Sequence, residues 1–422
     1  MKILWVKAGK LLPVDTGGKI RSYNILKHLA RDHEVTLLSY YGGRRDPGYE
    51  AEIRNEFPGT YTIHTAAPDA MAVEQSFDYL RRVWQPAPFA VSKFTYPEVQ
   101  RTVASWLNQR RLDVGVCDFL SASLNFPHPL PIPTVLFQHN VETALWRRMA
   151  STEPNPAKRF AYRIEAAKMA RYERAALGRF HRIIAVSDHD RHHMLQMDSS
   201  CEISVVPTGV DTGRFPVAPP AKVDPPTIIF TGSMDWEPNI HAVNYFCQEI
   251  FPRIRAEFPD AIFQIVGRNP HDKVKQLASD WVQVTGTVAS VADYLRYATV
   301  VVVPLRIAGG TRLKIFEAIR LKIFEAMVVG RAVVSTSIGA EGLDVQSGCD
   351  LIVADNAATF ADATLLLLRN RTLRRKYEQA AVKLATQYDW SRIVRRFVEI
   401  LEATMKVPRP NQSAGASLPM NS

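Results

Sequence analysis

"KILWVKAGKLLPVDTGGKIRSYNILKHLARDH", residues 2–33, is the stretch that decides the fold. It opens on the compact apolar run Lys2 to Val6, crosses a loop holding Gly17 and Gly18, and continues as a helical pattern to His33. Strand, glycine loop and helix form the first phrase of a Rossmann-like unit, so an α/β fold with a parallel, doubly wound sheet is predicted. The runs EVTLLSY, LDVGVCD, PTVLFQH and RIIAVS repeat the strand theme with helix-length segments between them, and fill residues 1–205.

The stretch VPTGVDTGRFPVAPPAKVDPP, residues 206–226, is dense in proline and glycine and reads as a linker. A second series then begins with TIIFTGS, AIFQIVG, WVQVTG, TVVVVPL and RAVVST as strands, and NIHAVNYFCQEIFPRIRAEF as a helix among them, over residues 227–389. A helix is predicted over residues 390–405, and the polar, proline-bearing residues 406–422 read as a disordered, dispensable tail. Two domains suit a chain of 422 residues that is 46% hydrophobic. Ligands of such folds bind beyond the carboxyl ends of the strands, so the two Rossmann-like sheets are expected to face a common cleft.

The four cysteines are scattered, with no CxxC pair or zinc spacing, and suggest buried thiols in a reducing, cytoplasmic setting. Lys2, Lys7 and Lys10 interrupt the N-terminal apolar run, which argues against a signal peptide, and no run reaches the length of a membrane span. The net charge of +10 favours polyanionic company. Basic residues concentrate from Trp146 to Arg182, where Phe160, Ile164, Ala167 and Ala170 recur at helical spacing. That pattern reads either as a solvated basic face or as a contact with an anionic membrane surface. No RNA-binding signature is present, so nucleic acid is not expected as a partner.

Eight phrases carry a resemblance: TGGKIRSYNILKHLA, QHNVE, AVSDHDR, VVPTGVDTGRF, FTGSMDWEPN, VTGTV, VVVPLRIAGGTRLKIFEAM and STSIGAEGLDV. In this order and spacing the chain resembles the family-four retaining glycosyltransferases of the GT-B fold, from Met1 to about residue 403. The resemblance implies transfer of a sugar from an NDP-sugar donor, held by the C-terminal domain, to a saccharide or lipid-linked acceptor presented by the N-terminal domain. Cell-surface polysaccharide or glycolipid synthesis is the expected setting. It also implies no metal and no cofactor. A donor diphosphate is well served by backbone N–H groups at a helix N-terminus with cations beside it. PLRIAGGTRLK offers Gly309, Gly310 and Thr311 for the first need, and Arg306, Arg312 and Lys314 for the second.

By the same resemblance Gly17, Gly18 and Gly232 are substrate-binding, and His139 contacts the donor sugar or supports the reacting centre. From its residue type alone His139 reads sooner as a satisfied structural histidine. Glu142 is expected to orient it or to cap the next helix. The aspartates of Asp188–Asp190 follow Ser187, an N-cap residue, and read as dipole complements rather than a DxD metal site.

The donor segment contains one phrase twice: RLKIFEAI, residues 312–319, then RLKIFEAM, residues 320–327. Glu317 and Glu325 therefore compete for the family's ribose-binding glutamate, and Arg320 and Lys322 duplicate Arg312 and Lys314. The earlier glutamate of many relatives falls here on Gly309. On one helix Glu317 and Glu325 would stand ~12 Å and about 80° apart, too far to serve one sugar. The first copy keeps the spacing to the glycine loop, and the second keeps the spacing to the next strand. A helix continuous through both, fixed by copy two with Glu325 nearest the ribose and the GGT loop displaced, is the favoured arrangement, because the phrase is rich in helix formers. A catalytically impaired sugar-nucleotide-binding protein is accordingly the principal alternative. A nicotinamide-dependent oxidoreductase shares the architecture, but the first turn lacks G-x-G-x-x-G.

Overall fold

The computed structural model describes residues 1–65, 82, 84–109, 111–219, 224–307, 322–341 and 343–406. The chain packs as two units, Met1–Pro207 joined by the chain from Val394 onward, and Thr208–Ile393.

The first unit is built on seven strands: β1 (Lys2–Ala8), β2 (Glu34–Tyr41), β3 (Thr60–His64), β4 (Val114–Asp118), β5 (Thr134–Phe137), β6 (Arg182–Ala185) and β7 (Ile203–Val205). They lie in the order β3-β2-β1-β4-β5-β6-β7, every pairing parallel. Ile3 to Val6 of β1 are fully buried and all five residues of β4 are buried, as a sheet covered on both faces requires. The second unit has β8 (Thr227–Thr231), β9 (Ile262–Val266), β10 (Val282–Gly286), β11 (Val300–Val303), β12 (Val333–Ser335) and β13 (Ile352–Val353). Their order is β10-β9-β8-β11-β12-β13, again parallel throughout. The doubly wound α/β architecture expected from the opening stretch is therefore present twice. In each sheet the winding reverses once, between β1 and β4 and between β8 and β11, and such reversals open a crevice at the strands' carboxyl ends.

The sequence pattern missed three strands. β3, β7 and β13 are short edge strands with few fully buried residues, so their hydrophobic signal is weak. The helix expected over Asn239–Phe258 is interrupted: Glu237–Tyr245 is α-helical, Phe246–Ile250 widens to a π turn, and Phe251–Arg255 resumes. Pro252 removes one ladder hydrogen bond there, and the wider turn absorbs the loss. The thiols also correct an expectation. Cys117 is buried, Cys201 and Cys247 are half-buried, and Cys349 is exposed; all four are free.

The basic stretch forms two helices, Glu142–Thr152 and Pro156–Leu177. The buried face of the longer one is Glu165, Ala166, Met169, Tyr172, Glu173, Ala176 and Leu177. The apolar set expected to line it points elsewhere: Phe160 is 66% exposed, Ala167 is exposed, and Ile164 and Ala170 are half-buried. The buried stripe carries two glutamates with partners on other segments: Glu165 accepts from the Phe89 N–H, and Glu173 from those of Glu142 and Thr143.

Candidate functional site

At the switch point of the first sheet, Gly17 and Gly18 begin the helix Gly17–Asp32 and let the chain turn tightly against β4. A Cβ on Gly18 would lie 2.5 Å from Cζ of Phe119, so any larger residue would have to displace that ring. Phe119 follows β4 with φ +74°, a left-handed conformation that costs a bulky residue about 1–3 kcal/mol and occurs where the surroundings enforce it. Its ring stacks on His139 with centroids 3.8 Å apart.

Beneath that ring lies a buried polar cluster. Lys7 Nζ is 3.0 Å from Asp118 Oδ2 and 3.3 Å from Ser22 Oγ, and Trp5 Nε1 donates to the same Asp118 oxygen at 3.0 Å. His139 Nε2 stands 3.1 Å from Asp118 Oδ1, while Arg21 donates to His139 Nδ1 at 2.8 Å. A guanidinium can only donate, so Nδ1 is the acceptor and Nε2 carries the proton. His139 is thus neutral, with both ring nitrogens engaged by the protein and 1% of its surface exposed. Burial alone would raise the Asp118 carboxyl, but Lys7, His139 and Ser22 outweigh it and hold it well below the usual carboxylate range.

The loop at His139 is held by a residue the sequence reading did not single out. Val141, the N-cap residue of Glu142–Thr152, offers no side-chain cap. The carboxylate of Glu173 takes the role instead, accepting from the backbone N–H groups of Glu142 and Thr143 at 2.8 Å each and from the side chain of Gln138. Capping was expected of Glu142. Nothing local in the sequence points to Glu173, because the partners are 30 or more residues apart. The Ser187 cap was legible: its hydroxyl accepts from the Asp190 N–H, and Asp188 pairs with Arg191.

In the second unit, Gly232 ends the β8 turn where a Cβ would fall 2.7 Å from Lys322 Nζ and 2.7 Å from Asn239 Nδ2. The loop is latched sideways: Met234 donates its N–H to Arg268 O at 2.9 Å, and Arg268 Nε donates to Ser233 Oγ at 3.0 Å. Asn239 is fully buried and donates to Ser233 O at 2.8 Å, and its Oδ1 has no hydrogen-bond partner among the described residues. Lys322 also lies over the Phe230 ring at 5.6 Å. Burial lowers Lys322 to about 8, with Glu325 opposing. Burial raises Glu325 to about 7, with Lys322 and Arg214 opposing. Arg306, beyond β11, stands 3.7 Å from Glu249 and over the Tyr245 ring.

Copy two of the repeated phrase is seated in the core. Residues 322–328 are helical, Ile323, Ala326 and Met327 are fully buried, and Phe324 packs its ring 4.3 Å from that of Tyr388. Of the other residues expected in the site, Gly309, Gly310, Thr311, Arg312, Lys314, Glu317 and Arg320 lie outside the described residues. Among the described residues no group of three or more potential metal ligands occurs, and no helix is long and apolar enough to cross a membrane.

Comparison with known proteins fits this geometry. The chain is 28% identical over 256 residues to phosphatidyl-myo-inositol mannosyltransferase of Mycolicibacterium smegmatis, covering 58% of this chain and 62% of the relative. Against the Mycobacterium leprae protein of the same name it is 28% identical over 229 residues, or 52% and 58%. The chain thus spans about three fifths of the length of the curated relatives it matches. Among solved structures, sucrose-phosphate synthase of Thermosynechococcus elongatus superposes with a TM-score of 0.62 at 14% identity, covering 96% of this chain and 98% of that one. Anabaena HepE in complex with UDP and glucose gives 0.58 at 14%, covering 96% and 100%. The fold is GT-B. Residues 16–214 match the model of glycosyltransferase family 4 and residues 225–370 that of glycosyl transferases group 1, so the chain belongs to the family 4, group 1 glycosyltransferases.

Proposed function

We propose that the protein transfers a sugar from a nucleoside-diphosphate sugar to a saccharide or lipid-linked acceptor, with retention at the anomeric carbon and without a divalent metal. The observation that carries this reading is the grouping of Gly232, Asn239, Lys322 and Glu325 at the carboxyl edge of β8, beside the switch point of the second sheet. A close backbone turn, a cation and a carboxylate are what a diphosphate and a ribose diol need. The mannosyltransferase relatives favour a lipid-linked acceptor, and HepE favours a uridine diphosphate donor. The Pro156–Leu177 helix supports attachment to an anionic membrane face, in keeping with a cytoplasmic enzyme acting on the inner leaflet. Arg163, Arg171 and Arg174 are exposed on the same side of it as Phe160.

The test is release of nucleoside diphosphate from a panel including UDP-glucose and GDP-mannose, with phosphatidyl-myo-inositol vesicles as acceptor. The product's configuration is then assigned by NMR. An inverted product, or activity lost to a chelator and restored by magnesium or manganese, overturns the mechanism. Equal flotation with neutral and anionic vesicles at low salt overturns the membrane contact.

A second reading, a sugar-nucleotide-binding protein with impaired transfer, is favoured by the seating of copy two. Eight residues, 312–319, then separate the GGT loop from Lys322 and Glu325 beyond the family spacing. Nucleotide binding without turnover across the panel would select it.

A further inference from the structure

We infer that Glu173 is a positioning residue for the sugar-transfer site, clamping both flanks of the turn His139–Val141 so that Asn140 is presented to the substrate. The inference rests on the proposed transfer reaction and goes beyond it in naming the device that sets the turn.

The geometry is specific. Glu173 is fully buried on the Pro156–Leu177 helix. Its Oε1 accepts from the Gln138 side chain, before the turn, and from the Glu142 N–H, after it; Oε2 accepts from the Thr143 N–H. One carboxylate therefore ties the end of β5 to the start of the next helix, with three residues between. Asn140, half-buried, is the polar side chain at the tip of that turn. His139, beside it, is fixed separately by Arg21 and Asp118, so the turn is restrained at its base and along its length.

This is an expensive way to begin a helix. A serine or aspartate in place of Val141 would accept from the Thr143 or Ala144 N–H with less desolvation, as local caps do. Here a carboxylate is buried instead, and burial raises it even against the hydrogen bonds from Thr143, Glu142 and Gln138 that favour its charge. The cost is explained by what a local cap cannot do: reach Gln138 on the far side of the turn. Gln138 is itself anchored by its N–H to Ile184 O at 2.9 Å, so the clamp references the turn to the sheet. A displacement of about 1 Å in a substrate-orienting group is enough to cost a hundredfold in rate.

The closing experiment uses the full chain and Glu173→Gln, with Gln138→Met as the milder second variant in case the first fails to fold. With whichever donor of the panel supports turnover, both variants are expected to lose at least tenfold in kcat while UDP or GDP affinity stays within twofold. The double variant should lose no more than Glu173→Gln alone. Amide hydrogen exchange over residues 138–145 should rise in both variants while β1 and β4 stay protected. A folded Glu173→Gln protein with parental kcat overturns the inference, as does additive loss in the double variant. A parent silent on every donor overturns the transfer reading instead; exchange over residues 138–145 then decides the clamp, unchanged protection overturning it.

Discussion

The two copies of the repeated phrase share seven of their eight residues, the phenylalanine among them, so a difference between Phe316 and Phe324 on substitution reports which copy occupies the core. Phe324, in copy two, is 3% exposed and stacks on Tyr388. Replacing a buried phenylalanine by alanine costs about 3–5 kcal/mol through lost transfer energy and the cavity left behind. For a unit of this size each kcal/mol lowers the melting temperature by roughly 2–4 °C, so Phe324→Ala should melt roughly 10 °C below the parent. The seat holds one copy, and Phe316 cannot fill it while Phe324 does. Phe316→Ala should therefore behave as a substitution outside the core, within about 0.5 kcal/mol and a degree or two. Differential scanning fluorimetry with far-ultraviolet circular dichroism on both variants decides. Equal losses, or the larger loss at Phe316, would refute the seating of copy two and the assignment of Lys322 and Glu325 built on it.

Deleting residues 312–319 should leave the melting temperature unchanged within about 2 °C and raise turnover, because the glycine loop regains the family spacing to Lys322 and Glu325; a shortened protein no more active than the parent shows the insertion is accommodated. Nucleoside diphosphate affinity, followed by calorimetry, should fall as pH rises through about 8, where Lys322 loses its proton, and Lys322→Met should abolish that dependence. Glu325 is held up at about 7, so folding favours its protonated form: that contribution is complete below the ordinary 4.5 and is lost as pH rises through 7. Glu325→Gln should accordingly flatten the pH dependence of the melting temperature between those values, and an unchanged slope would argue against it. Asp118→Ala should cost about 3–5 kcal/mol in denaturant unfolding, because it strands the buried Lys7 charge.

The sequence alone determined the architecture, because its signals are local. The run at Lys2 to Val6, the glycines at 17 and 18 and the helical period to His33 each act over a few residues, and repeating that phrase implies parallel sheets. The strands with runs of buried apolar residues were legible for the same reason, and the edge strands β3, β7 and β13, with few buried residues, were not. Of the candidate site, the glycine turn at 232 and the doubled Lys and Glu were visible as motifs. Only the tertiary structure decided how they are used. Two copies of one phrase have identical local preferences, so the choice between them falls to the single hydrophobic seat beside Tyr388 and to the short connection into β12. His139 read from the sequence either as a contact of the donor sugar or as a satisfied structural histidine; Arg21 and Asp118, 118 and 21 residues away in the chain, fix its tautomer. Glu173 carried no sequence signal at all, because a carboxylate capping another helix acts across 30 residues of chain and exists only once both helices are packed.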